Sequence, residues 1–366
     1  MRLRRLVVRD FRNLELVDLE PSPRFTVLEG SNGQGKTALL EAVYVLGALK
    51  SFRATRTDEL IRHGAEEARL FAEIENAGVV RTVDVTLGPR RRRIELDGKV
   101  CRALGDALGQ LTVVFFGPDD LVITKGSPSA RRRFLDRAVF NRFPVSLEST
   151  RRYEVALQQR NAVLKDGGPD SLLDAFERPL ALAAAEVTSW RLRFLTELRP
   201  FFDGALQEIT HGDHTAVLSY ANGVADPTAG GFEAGFRGAR AADRRRGTTT
   251  VGPHVDDLDV ALDGYPARAV ASQGQHRALV LAMKVAEIRA LEAGLGHRPV
   301  LLLDDVSSEL DADRNARLME YLLGPTFGGQ VLLTTTDRAF VRAPTDVVDG
   351  HLTCFTIRHG QLSQSV

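Results

Sequence analysis

The octapeptide Gly30-Ser31-Asn32-Gly33-Gln34-Gly35-Lys36-Thr37 constrains this chain more than any other stretch. It follows the mainly apolar run 24–29 and precedes the helix-forming Ala38-Leu39-Leu40-Glu41-Ala42-Val43-Tyr44, so strand, loop and helix are expected in that order. A glycine, four residues, glycine, lysine and a hydroxyl residue bind phosphate when the loop's N–H groups converge on an anion at a helix N-terminus. Gly30, Gly33 and Gly35 permit the backbone angles that such a nest requires. Lys36 can reach the β- and γ-phosphates, and the Thr37 hydroxyl can ligate Mg²⁺.

A chain of 366 residues can bury a large core and hold two domains, or one domain with an insertion. Its 43% hydrophobic and 26% charged residues are those of an ordinary soluble globular protein. No apolar run approaches the roughly 18 residues of a membrane span. The first eight residues are basic and alternating, which reads as a strand and not as a signal peptide, so a cytoplasmic location is expected. The two cysteines, Cys101 and Cys354, fit a reducing compartment and belong to no metal-type cluster. With 48 basic and 48 acidic residues the net charge is zero, so nucleic-acid binding would have to come from local patches. Arginine far outnumbers lysine, which suits bidentate phosphate contacts and follows equally from codon bias.

Residues 3–8 and 14–19 alternate as strands, and Arg12 and Asn13 lie between them, close ahead of the phosphate loop. They either face a nucleotide or make an ordinary turn. Meander-like strands are expected at 70–75, 79–87 and 94–96, with a hairpin at Asp97-Gly98. The run Arg90-Arg91-Arg92-Arg93 is either a solvated edge or a DNA surface. Residues 111–116 predict a buried strand. Ser127-Pro128 then predicts a helix with a serine cap and proline at its first position. Arg131, Arg132 and Arg133 open this helix, as DNA contacts or as packing against the rest of the protein. Leu173, Phe176, Leu180, Ala183, Val187, Trp190, Phe194, Leu198 and Phe201 step by threes and fours, the seam of a long helix with an antiparallel partner. Residues 221–247, rich in Gly, Ala and Arg, predict a looser return path. The expected organisation is a head part at 1–118, an inserted helical lobe at 119–246 and a second head part at 247–366.

Further on, residues 256–262 predict a strand, and 277–291 a helix apolar nearly all round and therefore buried. Val300-Leu301-Leu302-Leu303-Asp304-Asp305 is an apolar strand ending in two carboxylates. Asp304 can hold the metal or its water, and Asp305 can orient an attacking water. Ser272-Gln273-Gly274-Gln275 offers a hydroxyl and free N–H groups at a helix start. Placed upstream of Asp304 and just before a buried helix, it resembles the signature loop of ABC-type ATPases, in which one protomer's loop caps the γ-phosphate held by the other. Ser307-Ser308-Glu309-Leu310-Asp311 resembles the D-loop of that superfamily. Thr334-Thr335-Thr336 stands where most transporters carry a switch histidine, and Asp305 where fast members usually place a glutamate.

Within that superfamily the chain resembles the RecF family. The resemblance rests on Phe116-Gly117-Pro118-Asp119-Asp120-Leu121, Lys125-Gly126-Ser127-Pro128, Arg131-Arg132-Arg133-Phe134-Leu135-Asp136, and Tyr153 with Gln159-Arg160-Asn161. It extends to Gly252-Pro253-His254 with Asp256-Asp257, to Arg277-Ala278-Leu279 after the signature loop, and to Phe11-Arg12-Asn13 and Ser51-Phe52-Arg53. Val255 departs from the basic residue expected in relatives. The resemblance implies an α/β ABC-type P-loop ATPase head with an inserted helical, short coiled-coil-like lobe. It also implies a cytoplasmic DNA-repair ATPase that forms a homodimer around two ATP molecules and binds DNA at single-strand gaps and duplex junctions. Such a protein would work with RecR and RecO to load RecA, with links to replication and the SOS response. The candidate catalytic residues are Lys36, Asp304 and Asp305, with Mg²⁺ on Thr37 and Asp304. Nucleotide contacts are expected from Arg12, Asn13, the phosphate loop and residues 272–275. Two other readings are an ATP-binding subunit of an ABC transporter and a phosphate-transferring kinase, of which the second leaves the signature-like and D-loop-like segments unexplained.

Overall fold

The strand leading into the phosphate loop, β3 (Phe25–Glu29), is buried from Phe25 to Leu28, as expected of an apolar run with both faces covered. It is the centre of a sheet whose order is β15-β14-β3-β13-β12-β8. These strands are β8 (Val113–Phe116), β12 (Val300–Asp304), β13 (Val331–Thr335), β14 (Leu352–Arg358) and β15 (Gln361–Ser365). All pairs are parallel except β14 with β15. The computed structural model describes residues 1–89, 91–102, 104–305, 328–337 and 352–365. The D-loop-like segment 307–311 lies outside the described residues.

A second sheet, β2-β1-β4-β5-β6-β7, is antiparallel. It contains β1 (Arg2–Phe11), β2 (Leu14–Leu19), β4 (Ala68–Asn76), β5 (Val79–Gly88), β6 (Arg91–Leu96) and β7 (Lys99–Val100). Its register sets Leu19, Leu6, Ala72 and Val83 in one row, all buried. Helix α1 (Lys36–Ala48) packs on strands of both sheets. That explains why it is buried nearly all round and carries no polar stripe. In β6 the outward arginines are paired: Arg93 meets Glu95 at 2.7 Å and Arg91 meets Glu67 at 3.4 Å, while Arg92 donates to the Leu49 carbonyl. This is the solvated-edge arrangement.

The chain divides into two units, Met1–Asp120 with Leu291–Val366, and Leu121–Ala290. The first holds both sheets described so far. The second contains the three-stranded sheet β11-β10-β9, made of β9 (Ala216–Ala221), β10 (Asp257–Leu262) and β11 (Tyr265–Pro266). Its longer helices are α2 (Pro128–Arg142), α3 (Ser146–Lys165), α4 (Asp170–Thr210) and α5 (Ala229–Arg246), and α6 (Gln273–Leu295) begins there. The chain returns to the first unit at Leu291, later than the boundary at 246 expected from composition, because β10 pairs antiparallel with β9.

Helix α4 runs for 41 residues and packs along α3 and α5. Its buried positions Leu173, Leu180, Val187 and Phe194 form the expected seam. Two local expectations differ. Residues 229–246 form a helix and not a loose path, since Phe232 and Phe236, one turn apart, are fully buried, and Thr228 caps the helix by accepting the Gly231 N–H. Ser127 does precede α2, but its side chain makes no cap bond and pairs with Ser129 Oγ at 2.8 Å; Pro128 alone supplies the start signal. Arg131 is buried and forked onto Asp257 at 2.7 and 2.8 Å, and Arg132 donates to the Asp256 carbonyl at 2.7 Å. These two arginines hold α2 to the start of β10, so of the three only Arg133 is exposed.

Candidate functional site

Directly after β3 the chain enters the phosphate loop, and α1 starts at Lys36. Gly35 has φ 114°, and a Cβ there would come within 2.7 Å of Leu14 Cδ2, so only glycine fits. The loop stands against the wall of a 640 Å³ cavity lined by first-unit residues alone. Asn32, Gly33, Gly35, Lys36 and Thr37 form one side, Arg12, Asn13, Glu41, Glu59 and Ile61 another, and Arg53, Asp304 and Asp305 a third.

Lys36 is buried, and its Nζ donates to the carbonyls of Gly30 and, at 3.0 Å, Ser31. Burial pushes the ammonium below its usual range, and the charges of Asp305 and Asp304 pull it back up. Asp304 ends β12, and its Oδ1 accepts from Thr37 Oγ1 at 2.9 Å and from Thr334 Oγ1 at 2.7 Å. Burial holds this carboxyl above the ordinary carboxylate range, opposed chiefly by the two threonine bonds. The Asp305 N–H donates to Thr334 Oγ1 at 2.9 Å, and its φ of 46° turns the chain out of the strand. Thr334, the first of the three threonines, therefore touches both members of the acidic pair, and Thr335 Oγ1 donates to the Asp337 carbonyl. Together Thr37 and Asp304 present a hydroxyl and a carboxylate at the helix start, hard oxygen donors of the kind Mg²⁺ prefers.

Arg12 and Asn13 both reach the cavity. Arg12 turns with φ 57° and forks onto Glu41, both bonds 2.9 Å, while donating to the Glu59 carbonyl at 2.8 Å. The Glu41 carboxylate holds the Arg12 guanidinium above its usual range. Asn13 Nδ2 donates to the Gly33 carbonyl at 3.1 Å and so braces the loop. Gln34 behaves differently. Its side chain turns away from the cavity to accept the His359 N–H at 2.6 Å, and its carbonyl takes the Gly360 N–H at 3.0 Å. The β14–β15 turn thus braces the loop from the opposite flank.

Five cavity residues, Ala38, Glu41, Arg53, Glu59 and Ile61, lie outside the set expected from sequence, and two of them carry charge onto the wall through contacts that the fold creates. Glu41 is fully buried on an otherwise apolar helix, and a lone acid in such a run is itself a signal. Arg53 arrives through packing: Phe52 stacks on Phe115 with ring centroids 3.8 Å apart, and Ser51 Oγ accepts the Arg53 N–H at 2.8 Å while donating to Glu41. Residues 272–275 do not line this cavity. They belong to the second unit, where Ser272 and Gln273 are exposed at the start of α6.

Lys36→Ala removes an ammonium from the cavity wall. ATP affinity, measured by calorimetry, is expected to fall by about 2 kcal/mol or more, because a charge-assisted contact in a half-desolvated site is lost. Unchanged affinity would remove Lys36 from the site.

The RecF/RecN/SMC N terminal domain family matches residues 2–352. The DNA replication and repair protein RecF of Myxococcus xanthus is 47% identical over 355 residues, covering 93% of this chain and 92% of that protein. A solved structure of the recombination mediator protein RecF with ATPrS in the RecFOR pathway has a TM-score of 0.90 at 28% identity, covering 100% of this chain and 98% of that one. The corresponding RecF-ATP structure has a TM-score of 0.87 at 29% identity, covering 100% and 99%. On its phosphate loop, its two sheets and these matches, the chain belongs to the RecF family and carries the ABC-type P-loop ATPase head.

Proposed function

We propose that this chain is an ATP-operated DNA-binding switch of recombinational DNA repair and replication. The observation that carries the reading is the cavity in which the phosphate loop meets Asp304, which accepts from Thr37 and Thr334. ATP would lie with its phosphates on residues 30–37, and Mg²⁺ between Thr37 and Asp304, supplying charge neutralisation at the γ-phosphate. Asp305 would orient the attacking water. RecF structures named for ATPrS and for ATP support the nucleotide. The signature residues 272–275 would act on the nucleotide of a second copy, so ATP would serve chiefly as the ligand that stabilises a closed homodimer.

In this reading the dimer holds single-strand gaps and their duplex junctions, and with RecR and RecO it helps RecA to load. The relatives' name, DNA replication and repair protein, supports a DNA substrate, and the RecFOR pathway in the structures' names supports the partners. A cytoplasmic location accords with a DNA substrate; among the described residues no helix is long and apolar enough to cross a membrane.

The test is retention of the purified chain on gapped duplex DNA at moderate salt, with and without MgATP. Retention that requires MgATP is expected. Absent retention contradicts the reading and returns the transporter-subunit alternative, and retention indifferent to nucleotide contradicts the ATP-operated switch.

A further inference from the structure

A chain of hydrogen bonds in the second unit ends on Ser272, and nothing in the nucleotide site accounts for it. The Ser272 N–H donates to Gln275 Oε1 at 2.7 Å, and Ser272 Oγ accepts the Gln275 N–H at 3.3 Å. This reciprocal pair satisfies two donors at the start of α6, in the manner of a capping box. The other end of the same carboxamide, Gln275 Nε2, lies 3.2 Å from His214 Nε2. His214 Nδ1 lies 2.8 Å from Asp263 Oδ2, and the remaining oxygen, Asp263 Oδ1, accepts the Thr215 N–H at 2.9 Å.

Chemistry fixes the direction of every bond in this chain. The Ser272 N–H only donates, so Gln275 Oε1 faces it and Gln275 Nε2 donates to His214 Nε2. The Asp263 carboxylate only accepts, so the ring proton sits on His214 Nδ1. Nε2 of the neutral ring is then the acceptor, and the carboxamide has one orientation, with Oε1 toward Ser272. Asp263 sets the tautomer, His214 reads it, and Gln275 transmits it to the backbone of Ser272. The backbone places the members with care. His214 follows the end of the 41-residue α4 by a short loop whose cap residue, His211, has φ 55°. Asp263 occupies the β10–β11 turn with φ 50°, and its own N–H returns to the Thr215 carbonyl at 2.8 Å. On the other flank of the signature residues, Lys125 Nζ donates to Gln273 Oε1 at 2.7 Å.

We propose that His214 and Asp263 are positioning residues for the signature loop: they hold Ser272 in the geometry that a second copy's nucleotide would meet. The inference rests on the two-protomer reading given above, and it ties the end of the long helix to the ATP contact.

The discriminating variant is Asp263→Asn in the full chain. It is nearly isosteric, keeps an acceptor for the Thr215 N–H and tolerates the left-handed turn. Its amide N–H₂, however, faces His214 Nδ1 and drives the ring proton to Nε2. That N–H opposes the Gln275 N–H₂, so the carboxamide must turn and the Ser272 N–H loses its acceptor. Asp263→Asn and His214→Ala are each expected to weaken MgATP-dependent dimerisation by about tenfold. ATP binding by the monomer and the fluorescence of Trp190, which reports folding of this unit, should stay unchanged. The ¹⁵N shifts of His214 in Asp263→Asn should report the Nε2–H tautomer, and the double variant should lose no more than either single one. Ser272→Arg serves as the reference. If Ser272→Arg still dimerises with ATP, the two-protomer reading fails and takes this inference with it. If Ser272→Arg abolishes dimerisation while Asp263→Asn and His214→Ala dimerise like the wild type, the positioning role is overturned and the two-protomer reading stands.

Discussion

Replacing Arg160 with alanine should destabilise the second unit by roughly 3–5 kcal/mol, the usual cost of removing one partner from a buried ion pair. The guanidinium is fully buried and spends its donors on four groups. It meets Glu177 Oε1 at 2.9 and 3.1 Å, Asp243 Oδ2 at 2.7 Å, Thr249 Oγ1 at 2.8 Å and the Phe236 carbonyl at 3.2 Å. These partners come from α4, α5 and the segment after α5, so one side chain on α3 ties three helices and that segment together. Removing it leaves Asp243 as a carboxylate at zero exposure that loses its charged partner, whereas Glu177 keeps Arg240 at 2.6 Å. Trp190, the chain's only tryptophan, lies on α4 and reports this unit. Urea unfolding followed by its fluorescence is the measurement. A loss below about 1 kcal/mol would show that Asp243 is not left as an uncompensated buried charge.

The acidic pair at the end of β12 carries the second large effect. Asp305→Asn is expected to slow single-turnover ATP hydrolysis by about a hundredfold or more, the usual contribution of a positioned general base. ATP binding should persist. Asparagine tolerates the φ of 46° at this position, so the substitution removes charge with little strain. The wild type should itself be slow, since aspartate is one methylene shorter than glutamate and holds the attacking water less closely. Asp304→Asn should act earlier, because Asp304 Oδ1 gathers Thr37 and Thr334 and its charge is what a bound Mg²⁺ would need. It should weaken Mg²⁺-dependent ATP binding and closure. Normal hydrolysis in Asp305→Asn would reduce that residue to a turn former.

The reach of the sequence can be judged from particular residues. Eight consecutive positions between a strand and a helix identify the phosphate loop, and an apolar strand ending in acids identifies Asp304. Both signals are local in the chain. Arg53 is not visible that way, since it reaches the cavity only because Phe52 finds Phe115, a partner from a distant strand. Gln34 looked like one more loop ligand, yet the β14–β15 turn, far along the chain, claims its side chain. Helix α5 was hidden by its glycines; Phe232, Phe236 and Arg240 recur at one-turn spacing, and that periodicity outweighs composition once the aromatic rings are buried. The boundary at Leu291 depends on the pairing of β9 with β10, across a whole intervening helix. Arg160 stood out as part of a family-like segment, but only the fold shows that its role is to neutralise Glu177 and Asp243.

In the proposed switch, ATP joins two copies of this chain through Ser272 and the phosphate loop. Light scattering of the purified chain, first alone and then with MgATP and gapped duplex DNA, tests it most directly. A protein mass of one 40.1 kDa chain is expected without nucleotide and of two chains with it, with no doubling for Ser272→Arg. A wild-type chain that stays monomeric with saturating MgATP and DNA, or a Ser272→Arg variant that still doubles, would contradict it.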